Sequence, residues 1–214
     1  MKIKTNCLLA GLVIVMAITA WLYPATVKAD PLSYHDQYVD SPGHWVDTSG
    51  TTPVYWVQLY FPDSTTRGTY TNGSFEYDNY VNQVNSFTIK LFGHADNSNS
   101  PIDFYLDFDS NHSSYSGKIA GYDVPTSSSF ILTLDVKNND LLYNGLDVGN
   151  LSNVSLQSFV GYDTFWVGYA CHFYHDKTDV DVSVNGAEVP EPATMFLLGS
   201  GLLGLVGLRR KFKK

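Results

Sequence analysis

The feature that most constrains this chain is a two-residue alternation of apolar and polar side chains, recurring in short runs through its centre. Ile102, Phe104, Leu106 and Phe108 alternate with Asp103, Tyr105 and Asp107. Phe130, Leu132, Leu134 and Val136 do the same around Ile131, Thr133 and Asp135, and Val180, Val182 and Val184 around Asp179, Asp181 and Ser183. Successive side chains of a strand point to opposite faces, so this period puts one face on a core and the other toward water. No stretch of residues 30–188 sustains a helical period. Strands are expected at Val54–Phe61, Ser86–Phe92, Ile102–Phe108, Phe130–Val136, Thr164–Tyr174 and Asp179–Val184, bounded by Gly, Pro, Asn, Asp and Ser. Between Leu141–Tyr143 and Leu146–Val148, Asn144-Gly145 is a type I′ hairpin signal. Many short strands, with 15 Tyr, 12 Phe and 4 Trp to fill a core, predict an all-β fold. The expected architecture is an antiparallel β-sandwich of jelly-roll kind, with a closed barrel the alternative that periodicity leaves open.

The two ends differ from this middle. Lys2 and Lys4 precede an almost wholly apolar run, Cys7 to Leu22, and Val27-Lys28-Ala29 offers small residues at a cleavage site. Residues 1–29 therefore read as a signal peptide, removed by signal peptidase to leave Asp30 first, with an uncleaved N-terminal anchor the alternative for so long an apolar run. Cys7 leaves with it. Cys171 then has no partner for an intramolecular disulfide, and the core must be stable without one.

At the other end, Val189-Pro190-Glu191-Pro192 precedes the apolar run Ala193–Leu208, and five basic residues lie among the last six, beginning with Arg209 and Arg210. Pro192 suits the first turn of a helix, and Glu191 sits where the helix dipole favours negative charge. The run would be about 24 Å long at 1.5 Å per residue, a short span that snorkelling arginines extend. By the positive-inside rule the basic cluster stays cytoplasmic and the body faces outward, as the signal peptide also requires. These three parts in order resemble the PEP-CTERM sorting signal. The resemblance covers residues 189–214 and leaves the fold of 30–188 open. It implies recognition by an exosortase, a membrane-embedded protease-transpeptidase, in Gram-negative bacteria that make exopolysaccharide. It further implies transient anchoring in the inner membrane by residues 193–208, then display at the cell surface or release.

Charge narrows the partners of the body. Residues 30–189 hold 5 Lys and Arg against 20 Asp and Glu, a net of −15 that the basic ends conceal in the overall −8. Such a body repels nucleic acid and anionic lipid and attracts cations.

Three groups could carry chemistry. Asp107-Phe108-Asp109-Ser110-Asn111 has the D-x-D-x-N spacing that converges oxygen ligands on Ca²⁺, and Asp103 shares the strand face of Asp107. The rest of an EF-hand is missing, and an Asx-rich turn is the competing reading. Cys171-His172-Phe173-Tyr174-His175-Asp176 is rich in metal-ligand types. In a strand, however, Cys171 and His175 lie about 13 Å apart and cannot share one ion. Trp45, Trp56, Tyr60 and Trp166 could stack on sugar rings, with Asp and Asn nearby for hydroxyls; core or interface packing is the alternative. No nucleophile motif, zinc-protease motif or phosphate loop occurs. The expected function is that of a non-enzymatic surface or matrix protein associated with exopolysaccharide, with glycan binding through aromatics. The alternative is a secreted carbohydrate-active hydrolase on a jelly-roll scaffold.

Overall fold

The computed structural model describes residues 30–47, 53, 55–62, 68–95, 100–112, 115–125, 129–170 and 172–186. Its strands are β1 (Leu32–Val46), β2 (Tyr55–Tyr60), β3 (Thr69–Thr71), β4 (Val84–Ala95), β5 (Ser100–Asp107) and β6 (Ala120–Val124). They continue with β7 (Ser129–Asp135), β8 (Asp140–Tyr143), β9 (Leu146–Asn150), β10 (Thr164–Ala170) and β11 (Phe173–Val184). One helical turn, α1 (Tyr77–Tyr80), lies between β3 and β4.

All pairings are antiparallel, in a seven-stranded sheet ordered β3-β1-β11-β4-β7-β8-β9 and a four-stranded sheet ordered β2-β10-β5-β6. With β3 and the β8–β9 hairpin set aside, the first strand pairs with the last and the second with the last but one. That is the wrapped order of a jelly roll, and the expected sandwich is the fold found. The inward residues of both sheets share one core. Its densest part is aromatic: Phe61, Phe87, Phe159 and Phe165 meet with ring centroids 4.6–5.8 Å apart, and Tyr77 of α1 closes on Phe61 at 4.5 Å. Such offset and edge-on contacts add to the burial of the rings.

The alternation read from sequence sets these faces. Ile102, Phe104 and Leu106 are buried in the core from β5, as are Phe130, Leu132 and Leu134 from β7 and Val180, Val182 and Val184 from β11. Asn144 (φ 49°) and Gly145 (φ 85°) both occupy the left-handed region that a type I′ turn requires between β8 and β9. The expected strand Thr164–Tyr174 is two strands, since Ala170 ends β10 in the small sheet and Phe173 begins β11 in the large one. The long β1 was not expected from sequence.

Candidate functional site

The outward face of the small sheet collects the polar and aromatic residues. Along β10, Phe165, Val167 and Tyr169 enter the core, so Thr164, Trp166 and Gly168 face outward. Register then fixes three rungs. Trp166 lies between Gln58 of β2 and Asp107 of β5, Gly168 lies between Trp56 and Tyr105, and Thr164 sits opposite Tyr60. Gly168 has a steric reason: a Cβ there would stand 2.5 Å from the Trp56 ring, so its absence lets the indole lie on the sheet.

The chain after β5 folds back over this face. Ser116 accepts from the Leu106 amide at 2.9 Å and donates its own to the Leu106 carbonyl at 2.8 Å. Within the loop, the Asp109 amide donates to Asp107 Oδ1 at 2.9 Å, the Asn111 amide donates to Asp109 Oδ1 at 3.2 Å, and His112 Nδ1 meets Asp107 Oδ2 at 3.1 Å. The imidazole stacks on Trp56 at 4.3 Å and 2° and meets Trp166 edge-on at 5.0 Å. Tyr115 packs against Trp56 and Tyr105. The loop explains why Tyr105 and Asp107 are 3% and 2% exposed although they point away from the core. Burial, with Asp103 and Tyr115 nearby, raises the Tyr105 hydroxyl above its usual pKa.

Beside this lid lies a cavity of about 560 Å³, walled by Trp166, Tyr162 and Phe108 and polar at Gln58, Asp107, Asp109, Ser110 and Thr164. Tyr162 is 41% exposed and stacks on Phe108 at 4.4 Å. The cavity is an open cleft, mostly polar, with an aromatic wall.

The sequence candidates distribute unevenly over this geometry. Trp56, Tyr60 and Trp166 share the small sheet's outer face, but Trp56 is covered by His112 and Trp166 alone of them lines the cavity. Trp45 belongs to β1 in the other sheet, where it packs on Tyr174 at 4.6 Å. Asp107, Asp109 and Asn111 come together in one loop, whereas Asp103 pairs with Lys118 at 2.8 Å. Among the described residues, no group of three or more His, Cys, Asp and Glu side chains is placed to hold a metal ion. Cys171 lies outside the described residues.

Residues 188–211 match the family model of the PEP-CTERM protein-sorting motif. The chain carries a PEP-CTERM sorting tail. It is therefore an exported, exosortase-sorted protein of the cell surface. No curated protein sequence matches the chain. Among solved structures it is similar to the Caenorhabditis elegans galectin LEC-6, at 7% identity and a TM-score of 0.35, over 68% of this chain and 95% of that one. The sorting residues Val189, Pro190, Glu191, Pro192, Arg209 and Arg210, the span 193–208 and the signal segment 1–29 lie outside the described residues. Among the described residues no helix is long and apolar enough to cross a membrane.

The body also contains a buried polar chain between its sheets. His175, fully buried, meets Asp40 Oδ2 through Nδ1 at 2.6 Å and Thr178 Oγ1 through Nε2 at 2.8 Å, and Thr178 meets Tyr169 Oη at 2.6 Å. Tyr55 donates to the same Asp40 oxygen and stacks on His44 at 4.4 Å. Burial pulls the His175 pKa below the usual imidazole range against the opposing pull of Asp40. Burial likewise raises Tyr55 and Tyr169 well above the ordinary phenol value, Tyr55 with help from Asp40. The order Asp–His–Thr has the form of a catalytic relay, but Thr178 and Tyr169 are 0% exposed, so no substrate reaches them. The chain ties β1, β2, β10 and β11 together as structure.

Sequence reasoning missed Gln58, Thr164, Tyr162 and His112. The first two were within reach, because they alternate with apolar residues in strands already expected. His112 and Tyr162 sit in loops, where no period betrays a position.

Proposed function

We propose that this is a non-enzymatic surface or matrix protein that binds a glycan in the Trp166 cavity and so associates with exopolysaccharide outside the cell. Signal peptidase cleavage after Ala29 and transient anchoring by residues 193–208 belong to the same reading. The observation that carries it is the rung Gln58–Trp166–Asp107, an indole flanked on one sheet face by an amide and a carboxylate. A sugar ring presents an apolar face and a hydroxyl edge, which such a rung matches. The non-enzymatic part is supported by Asp107, whose two oxygens hold the Asp109 amide and His112 and so fix the loop. The test is a glycan array probed with the full chain in detergent, followed by titration of the best binder against wild type and Trp166→Ala. Loss of about tenfold or more in affinity, roughly 1.4 kcal/mol, is expected. Equal binding by the variant would remove the site. Turnover of the glycan, lost in Asp109→Asn, would establish the hydrolase instead.

A further inference from the structure

We infer that the outer face of the large sheet pairs this chain with a second copy of itself. Strand register carries two outward rungs across that face, Val39–Lys177–Phe92–Ile131 and, beside it, Trp45–Tyr174–His94. The solvent side of an antiparallel sheet is ordinarily polar. Here Val39, Ile131 and Tyr174 are 55%, 37% and 37% exposed, three of the five exposed large apolar side chains among the described residues. Trp45 and Phe92 are half-buried beside them. Lys177 continues the band rather than interrupting it, since its ammonium lies 4.2 Å from the centre of the Phe92 ring and 2.7 Å from Asp179. An apolar band of this kind, rimmed by polar residues, marks an interaction surface.

Charge selects the partner. The outward carboxylates of β1, β11 and β4 are Asp176, Asp179 and Asp181. Each has a basic neighbour: His94 at 3.3 Å, Lys177 at 2.7 Å, and Lys90 with His35, both at 2.7 Å. This face thus holds two of the five Lys and Arg of residues 30–189 but only three of their 20 Asp and Glu. A cationic partner is drawn to the acidic remainder of the body instead. A second copy is itself acidic, and it meets least repulsion where the carboxylates are already matched. Two such faces can pack sheet on sheet across a two-fold axis, each presenting the same band to the other.

The experiment is sedimentation of the full chain in density-matched detergent, at about 1–100 μM protein and in about 50 and 500 mM NaCl. A reversible dimer is expected, tighter at the higher salt because screening relieves the repulsion between two acidic bodies. Ile131→Asp, Ile131→Lys and Tyr174→Asp should each raise its dissociation constant about tenfold or more. An unchanged far-UV circular dichroism spectrum for each variant ties that loss to the face rather than to unfolding. Leu146→Asp alters an exposed side chain on the opposite side of the sheet, opposite Tyr143 and through it core-facing Leu132, and should leave the dimer intact. A monomer at every concentration overturns the inference. So does a dimer that keeps its affinity in all three face variants, since the contact then lies elsewhere, or one that Ile131→Lys tightens, since it is then a charge pairing. Binding of an oligouronate to a monomeric wild type, lost in Ile131→Asp, would give the face to an acidic glycan and equally overturn the dimer.

Discussion

Protonation of His175 is disfavoured in the folded chain because the ring is buried, a cost that its hydrogen bond to Asp40 offsets only in part. Its folded pKa is lowered, so below the unfolded value of about 6.5 the unfolded chain takes up a proton that the native state resists. Stability is therefore full above that pH and falls as pH drops through 6, by at most about 1.4 kcal/mol per unit. A second loss follows below about pH 4. Half-burial works to raise the Asp181 pKa, but hydrogen bonds from Lys90 and His35 prevail and lower it. At the alkaline end the raised Tyr55 and Tyr169 reverse the sign, and stability falls above about pH 10. Thermal melts of wild type and His175→Gln should show a lower melting temperature for the variant at pH 8 and a flatter slope from 7 to 5. Identical slopes would assign the titration to another group. Gly168→Ala tests a different residue. The added carbon meets the Trp56 ring at 2.5 Å, so about 1–3 kcal/mol of stability should be lost, and His112 should shift with the indole it stacks on. An unperturbed His112 resonance with unchanged stability would show that the ring moves freely.

Among the elements, β5 and β7 were legible because one face of each is wholly apolar. The strand β1 was not, because its inward positions are Tyr34, Asp36, Tyr38 and Asp40, and polar side chains turned inward hide the period. What they meet explains them: the Tyr60 amide donates to Asp36 at 2.9 Å, and Asp40 holds His175. The β10–β11 boundary was invisible for a simpler reason, since no Gly, Pro or Asn marks the crossing between sheets. Burial of Asp107 was also beyond pattern, because the loop that covers it is ordered by its own Asx bonds rather than by alternation. The same loop bears on calcium. With Asp103 on Lys118 and Asp107 on His112, two of the four ligands suggested by spacing have other partners. Melting in 1 mM Ca²⁺ should therefore match melting in NaCl of equal ionic strength. A Ca²⁺-specific rise that Asp107→Ala plus Asp109→Ala abolishes would restore the ion site.

At the scale of the whole molecule, sorting was the most legible property, since Pro190-Glu191-Pro192, the apolar run and the basic end are contiguous and matched as a unit. Glu191→Ala in an exosortase-bearing host should leave the tail uncut, read as full-length C-terminal mass where wild type is shortened. Equal products from both would mean that processing does not depend on that carboxylate. The candidate site was only partly legible, because it depends on register between β2, β10 and β5 that no local pattern encodes. Three aromatic candidates fell on one sheet face, and only alignment of the strands placed Trp166 between Gln58 and Asp107. The claim that joins export to this face is that the protein holds extracellular glycan through that rung. Its most direct test is the binding isotherm of full-length wild type and Trp166→Ala to polysaccharide isolated from the host that exports it. Saturable binding by wild type, weakened about tenfold or more in the variant, is the predicted result. Identical isotherms, or no binding by wild type, would contradict it.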